Sequence, residues 1–154
     1  MNIRDLADRG RVVLDVGARD VMDALLVAAD AAAPRIGIEV SGAVSALLDR
    51  ERLGSTAVGN GFAIPHCKVD GMSGVDLSLV RFAGPVDFGA PDDSPVRFLF
   101  VVFSPADQPA AHLKILSQIA RILKREDLRH ELLAASAPAQ VIAALRRAAD
   151  AEGL

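Results

Sequence analysis

Residues 51–68 read Glu51-Arg-Leu-Gly-Ser-Thr-Ala-Val-Gly-Asn-Gly-Phe-Ala-Ile-Pro-His66-Cys-Lys68. Two short apolar segments, 56–58 and 62–64, flank Gly59-Asn60-Gly61, a combination typical of a tight turn between paired strands. The second segment leads through a proline directly to His66. Proline cannot donate to a strand ladder and therefore favours strand ends and bulges. We expect this hairpin to place His66 at the end of a strand, with its imidazole at the rim of a sheet.

The rest of the chain alternates segments of helical and strand periodicity. Helices are predicted at about 19–33 (stopped by Pro34), from an N-cap at Ser41, and at about 109–124, 127–135 and 138–149. Strands are predicted at 11–16, at 75–82 (half-buried), at 96–103 (covered on both faces), and briefly at 86–88. This order predicts one α/β domain over residues 1–154, with a core at about 12–145 and a mixed β-sheet of about five strands flanked by helices.

Composition excludes several classes of function. A net charge of −3 leaves no basic field for nucleic acid, and the absence of Trp and Tyr removes the usual stacking residues. The N-terminal segment does not have the pattern of a signal peptide, and the apolar runs are too short to cross a bilayer. The single cysteine, Cys67, excludes an internal disulfide. We expect a cytoplasmic protein with no membrane insertion and no nucleic-acid partner.

His66 is the residue best placed for chemistry, although the residues alone leave open a surface histidine without a role. An extended chain directs His66 and Cys67 to opposite faces, which argues against a thiol–imidazole pair, and the histidine spacing matches no zinc pattern. The glycine-rich run lacks the Gly-Lys-Ser/Thr ending of a phosphate-binding loop. His130 lies among charged residues and is predicted to be solvated. What remains is an imidazole that is neutral near pH 7 and can attack phosphorus.

His112 is the second residue that this chemistry suggests. It shares an apolar helical arc with leucine and isoleucine residues, so a buried histidine without a role is the alternative. It also lies in the first turn of a helix beginning near Pro109, where free N–H groups and the helix dipole favour an anion. Arg52 and Thr56 are further donors that could surround a phosphoryl group on His66.

At these residues the chain resembles the fructose/mannitol-type (type 2) enzyme IIA of the bacterial phosphotransferase system, and most of all its nitrogen-regulatory branch. The similarity covers roughly residues 12–145. One departure is Cys67, because the nitrogen branch commonly has glycine after the histidine. The segments that carry the similarity are Glu51-Arg-Leu-Gly-Ser-Thr56, Gly59-Asn-Gly61, Ala63-Ile-Pro-His66, Pro95-Val96, Pro105-Ala-Asp-Gln108 and His112-Leu113.

The resemblance implies a phosphocarrier, a phosphotransferase component that needs no metal or organic cofactor. It implies that His66 is phosphorylated on Nε2, that His112 hydrogen-bonds the phosphoryl group, and that Arg52 and Thr56 support the site. The implied donor is HPr or its nitrogen-branch counterpart, charged from phosphoenolpyruvate through enzyme I. The implied acceptor is a regulatory target protein or a IIB protein.

Two other functions remain open from the sequence. A stand-alone sugar-specific IIA would pass its phosphate to a fructose- or mannitol-type IIB, and the sequence contains no permease or IIB segment of its own. A non-catalytic regulatory domain would keep the fold and bind a partner. The presence of both His66 and His112 ranks this last alternative lowest.

Overall fold

The structure is a computed structural model and describes residues 2–154. Its helices are α1 (Ile3–Arg9), α2 (Val21–Ile36), α3 (Val40–Arg52), α4 (Pro109–Ile122), α5 (Glu126–Ala134) and α6 (Pro138–Ala151). Its strands are β1 (Arg11–Val16), β2 (Ala57–Gly59), β3 (Phe62–Ala63), β4 (His66–Val69), β5 (Asp76–Val86) and β6 (Val96–Pro105). No helix in the described part of the chain is long and apolar enough to cross a membrane.

The strands form one mixed sheet with β6 at its centre. Strand β6 pairs antiparallel with β5 on one side and parallel with both β3 and β4 on the other. Strand β1 lies parallel to β5 at one edge, and β2 pairs antiparallel with β3 at the opposite edge. The predicted α/β class with a mixed sheet is confirmed, and the described residues contain six strands instead of about five.

Strands β3 and β4 follow the same line along β6, with a gap between them. Phe62 pairs with Phe98 and His66 with Val102, so the offset between partners is unchanged across the gap. The gap falls at Pro65, which has no N–H to give to the ladder. The expectation that His66 ends a strand is therefore wrong, because pairing resumes at His66 and continues through β4.

The hairpin before this gap is confirmed. Gly59 pairs with Phe62, which leaves Asn60 and Gly61 as a two-residue loop between β2 and β3. Both loop residues have positive φ, 59° and 89°, as the tight turns that suit a twisted hairpin require. Glycine and asparagine are the residues that adopt this conformation at least cost.

Helices cover both faces of the sheet and define two apolar cores. One core packs α1, α4, α5 and α6 against one face, and the other packs α2 and α3 against the opposite face. Strand β5 was expected to be half-buried, but it is buried on both faces from Leu77 to Phe82. Its polar residues Ser78 and Arg81 tolerate burial because Ser78 binds Arg35, while Arg81 binds Asp15 and carbonyl groups at the end of α5.

Several element boundaries differ from those expected. Helix α2 continues past Pro34 to Ile36 and ends at Gly37, whose φ of 73° suits a C-cap glycine. A proline removes one helical hydrogen bond, but burial of Ile36 favours the last turn. Helix α3 begins at Val40 after Glu39, so Ser41 is not its N-cap.

Two short segments were also predicted incorrectly. The brief strand expected at 86–88 is absent as a separate element, because Val86 is the last residue of β5. Helix α1 was not predicted, although its N-terminus carries a capping box in which Asn2 and Asp5 bind each other's backbone N–H groups.

Gly10 provides a test of how closely α1 approaches β5. A Cβ at this position would lie 2.3 Å from the Leu77 carbonyl oxygen, whereas a Cβ at Gly42 in α3 would meet no atom within 4 Å. We expect Gly10→Ala to lower the free energy of unfolding by about 1–3 kcal/mol, because backbone atoms must move apart. Gly42→Ala, the control, should raise it by about 0.5–1 kcal/mol. Urea denaturation measures both, and equal stability of Gly10→Ala and the parent would contradict the close approach.

Candidate functional site

The imidazole of His66 is held by its own backbone. Its Nδ1 lies 2.6 Å from the carbonyl oxygen of Ile64. Since a carbonyl only accepts hydrogen bonds, Nδ1 carries the proton and the neutral ring keeps its lone pair on Nε2. The Ile64 carbonyl is available because the next carbonyl, that of Pro65, points to β6 and accepts from Val102. Successive carbonyls of a strand alternate in direction, so that of Ile64 points away from β6.

Arg50, in the last turn of α3, contacts Nε2, the unprotonated nitrogen of this ring. Its Nε donates to His66 Nε2 over 3.2 Å, and its Nη1 donates to the Gly54 carbonyl oxygen over 2.9 Å. The guanidinium is thus anchored to the glycine-rich loop and lies beside the atom on which a phosphoryl group would form. Guanidinium groups suit this position because they keep their charge and bind phosphate oxygens through several N–H groups.

Arg52, the arginine expected to support His66, points elsewhere. Its side chain is 68% exposed, and its Nη1 lies 4.0 Å from Asp49. Residues two apart on a helix point in directions about 200° apart, so Arg50 and Arg52 cannot both face His66. The sequence did contain a signal for Arg50, since it follows the buried residues Ala43 and Leu47 at helical spacing.

Thr56 is buried and takes part in a loop clamp instead of facing the imidazole. Its backbone N–H and hydroxyl donate to the two carboxylate oxygens of Glu51, over 3.0 and 2.7 Å. The Thr56 carbonyl oxygen accepts a hydrogen bond from the Ile64 N–H. This bond holds Ile64 in place, and the Ile64 carbonyl in turn orients His66. The Ser55 hydroxyl donates to the Phe88 carbonyl oxygen. The Thr56 hydroxyl, which was expected as a donor to a ligand, is therefore engaged within the protein, as is that of Ser55.

His112, in the first turn of α4, faces His66 as the sequence suggested. The centroids of the two rings are 5.5 Å apart, and the rings are inclined by 47°. His112 Nδ1 lies 2.7 Å from the hydroxyl oxygen of Ser104, a buried residue of β6 that sequence reasoning did not identify. Two imidazoles from distant parts of the chain thus meet at one half-buried place.

The environment favours neutral forms of both imidazoles. Burial lowers the pKa of His66, although its hydrogen bond to Ile64 acts in the opposite direction. Burial, helped by the positive charges of His66 and Lys68 when present, lowers the pKa of His112 to about 4. The Nε2 lone pair of His66 is therefore available for attack at neutral pH.

The neighbouring thiol and the third histidine lie outside this site. Cys67 belongs to the core under α2 and α3, on the opposite face of the sheet from the core that contains Val102. Burial raises the pKa of its thiol to about 12, which makes it a poor nucleophile. His130 is exposed on α5. Within residues 2–154, no group of three or more His, Cys, Asp or Glu side chains is arranged to hold a metal ion.

Comparison with known proteins identifies the family of the chain that carries these two histidines. The family model described as "Phosphoenolpyruvate-dependent sugar phosphotransferase system, EIIA 2" matches residues 5–148. The chain belongs to this family. The resemblance drawn from the segments between Glu51 and Leu113 is confirmed.

Individual relatives place this EIIA 2 protein near the nitrogen-regulatory branch. It is 36% identical over 142 residues to a nitrogen regulatory protein of Bradyrhizobium diazoefficiens, and the alignment covers 92% of each chain. The crystal structure of nitrogen regulatory protein IIA-Ntr from Neisseria meningitidis superimposes with a TM-score of 0.84 at 30% identity, covering 88% of this chain and 92% of that one.

A second type of relative carries a transport name. The chain is 44% identical over 93 residues to the PTS system fructose-specific EIIA component of Haloferax volcanii, and the alignment covers 60% of each chain. The EIIA 2 protein thus aligns with about 60% of the length of two of the curated relatives that it matches.

The low pKa of His112 predicts how acid affects stability. The unfolded state takes up a proton near the ordinary pKa of 6.5 and the folded state only near 4, so the unfolded state binds more protons in this interval. The free energy of unfolding should therefore fall as the pH is lowered from 6.5 to 4. We expect His112→Gln to make this decline shallower in urea denaturation series. His130→Gln is the control for the general effect of removing a histidine. If His112→Gln leaves the dependence of the free energy of unfolding on pH unchanged, the prediction is contradicted.

Proposed function

We propose that this chain acts as one EIIA 2 domain over residues 1–154, a cytoplasmic regulatory phosphocarrier that accepts a phosphoryl group on His66 Nε2 from an HPr-type donor. One observation carries the assignment to this atom. The bond from His66 Nδ1–H to the Ile64 carbonyl presents the Nε2 lone pair, and Arg50 and His112 stand beside it. The acceptor, by family, is a IIB-type protein or a regulated target.

The transfer needs no proton movement at His66. The Nε2 lone pair forms the new N–P bond while the N–P bond of the donor phosphohistidine breaks, and the bonding pair returns to the donor nitrogen. His66 Nδ1 keeps its proton, so the phosphorylated ring is cationic. The Ile64 carbonyl, already 2.6 Å from Nδ1, stabilises this charge as its partner in a charge-assisted hydrogen bond. A cationic ring is also a good leaving group for the next transfer.

The new phosphoryl group carries two negative charges that need fixed donors. Before transfer, the Arg50 Nε–H donates a hydrogen bond to the lone pair of His66 Nε2. The guanidinium must therefore shift from Nε2 to the phosphoryl oxygens as the N–P bond forms. Its anchor at Gly54 limits this movement. His112 supplies a second donor across the site. Preorganised donors of this kind stabilise charge as it develops in the transition state.

The residues expected to support the site have different parts in this proposal. Thr56 acts through Glu51 to hold the loop that anchors Arg50 and orients Ile64. Arg52, exposed beside Asp49, takes no part in binding the phosphoryl group, and Arg50 takes the place assigned to it from the sequence.

Phosphorylation of the protein tests the nucleophile. With phosphoenolpyruvate, enzyme I and HPr, the parent should gain one phosphoryl group that is labile in acid, as measured by intact-protein mass spectrometry. His66→Gln should gain none, because the amide has no nucleophilic lone pair on nitrogen. His130→Gln, an exposed histidine on α5, should be labelled like the parent. Full labelling of His66→Gln would exclude His66 as the acceptor.

The two neighbouring arginines provide a matched test of the charge arrangement. Arg50→Lys keeps the charge but loses the guanidinium N–H groups that reach Nε2 and Gly54. We expect it to slow phosphoryl acceptance by about 10- to 100-fold, the range expected from removing one preorganised donor. Arg52→Lys should have the parent's rate. Equal rates for the two variants, measured by rapid-quench labelling, would contradict the role of Arg50.

Transport remains the second function to be distinguished, since one relative is named as a fructose-specific EIIA component. Phosphorylated protein should transfer its phosphoryl group only slowly to a purified fructose- or mannitol-type IIB if the role is regulatory. Transfer at the rate at which HPr charges His66 would instead support the sugar-specific function. Partner binding by an unphosphorylatable His66→Ala variant that equals the parent's would support a non-catalytic regulatory domain.

A further inference from the structure

Ser104 occupies a buried position directly beneath the pair of histidines. It lies two residues after Val102, the register partner of His66, so its side chain points to the same face of the sheet as that of His66. Helix α4 crosses this face and brings His112 over Ser104. The residue is 0% exposed, so its hydroxyl group has no access to solvent.

The hydroxyl of Ser104 has one hydrogen-bond partner among residues 2–154, the Nδ1 atom of His112 at 2.7 Å. A serine hydroxyl carries one proton, and a buried donor without an acceptor costs about 1–3 kcal/mol. If His112 Nδ1 held a proton, it would donate to Oγ, and the hydroxyl proton would then have no acceptor. The arrangement that satisfies the hydroxyl has it donating to an unprotonated Nδ1. The neutral ring of His112 then carries its proton on Nε2.

We infer that Ser104 is a positioning residue that holds His112 as the Nε2–H tautomer, so that His112 offers an N–H group to the phosphoryl group on His66. The inference rests on the proposed function for its consequence, but the tautomer itself can be measured without any phosphoryl donor. The opposite choice of tautomer holds at His66, where a carbonyl acceptor fixes the proton on Nδ1. One ring is therefore prepared as a nucleophile and the other as a hydrogen-bond donor.

The chemistry of the two neighbours explains this difference. A carbonyl oxygen can only accept, so it selects the protonated nitrogen of His66. A hydroxyl can donate or accept, but burial without another acceptor leaves Ser104 as a donor. Without that hydroxyl, Nδ1 of His112 would lose its donor, and nothing would prevent exchange of the proton between Nδ1 and Nε2. A lone pair on His112 Nε2 would repel a phosphoryl dianion.

The first experiment measures the tautomer of His112 in unphosphorylated protein labelled with 15N-histidine, at neutral pH and without donor proteins. Long-range 1H–15N correlations from the ring protons distinguish a protonated nitrogen from one with a lone pair. We expect Nε2–H and a lone pair on Nδ1 in the parent, and the same in Ser104→Thr, which keeps the hydroxyl. Ser104→Ala should show averaged nitrogen shifts from two exchanging tautomers. A proton on Nδ1 of His112 in the parent would overturn the inference.

The second experiment measures phosphoryl acceptance from phosphorylated HPr. Ser104→Ala should accept the phosphoryl group about tenfold more slowly than the parent, because a tenfold change corresponds to the net contribution of about one hydrogen bond. Ser104→Thr should recover most of the rate. Ser78→Ala is the matched control, because Ser78 is also a fully buried strand serine but binds Arg35, not a histidine. Equal rates for Ser104→Ala and Ser78→Ala would overturn the positioning role.

The two experiments separate failure of this inference from failure of the proposed function. If the parent accepts no phosphoryl group at all, the proposed function is wrong, whereas the tautomer measurement still decides whether Ser104 sets the proton position. If the parent is phosphorylated on His66 and Ser104→Ala matches it in both rate and tautomer, only the role of Ser104 is wrong.

Discussion

Strand β6 is buried on both faces and paired along both edges, and the positions of the functional side chains follow from it. The strand sets the register of β4, which begins at His66, and it carries Ser104 on the same face of the sheet. It leads through residues 106–108 directly into α4, whose first turn holds His112. Six consecutive apolar residues of this strand, Phe98–Phe103, are fully buried, so sliding the strand by one residue would move each of their side chains to the opposite face of the sheet. The relative position of the two histidines therefore depends on the packing of this central strand.

Much of this fold follows from local patterns, and the errors have physical causes. Strand β1, the hairpin at Asn60-Gly61 and the last three helices agree with their periodicity and turn residues. Strand β4 escaped prediction because Pro65 resembles a strand end, whereas continued pairing depends on β6, more than thirty residues away. Arg52 was expected beside His66 because it belongs to the segment Glu51–Thr56 that carries the family similarity, and Arg50 lies just outside that segment. Only the direction of each side chain on α3 separates them, and His66 lies sixteen residues from Arg50.

The site keeps its histidines neutral by burial and places permanent cations around them. Arg50 touches Nε2 of His66, and Lys68 lies two residues along β4 from it. Each positive charge opposes protonation of the imidazoles and attracts a phosphoryl dianion. In the proposed transfer, the same groups serve two states of the protein: they keep His66 unprotonated before the phosphoryl group arrives and balance its negative charge afterwards. Glu51 lies nearby, but its carboxylate oxygens are occupied by Thr56.

The short length of β2 has a consequence for how such a site can arise or be lost. Strand β2 begins at Ala57, opposite Ala63, and the Ile64 N–H donates to the carbonyl of Thr56, the residue just before the strand. The next carbonyl, that of Ile64, remains at the open edge of the sheet and accepts from His66. Regular pairing of Thr56 with Ile64 would bring the Thr56 N–H to this carbonyl, but that N–H donates to Glu51 instead and leaves the carbonyl to the imidazole. Loss of the Glu51 carboxylate, with no change to any histidine, would thus release a backbone N–H that competes with His66 for the Ile64 carbonyl.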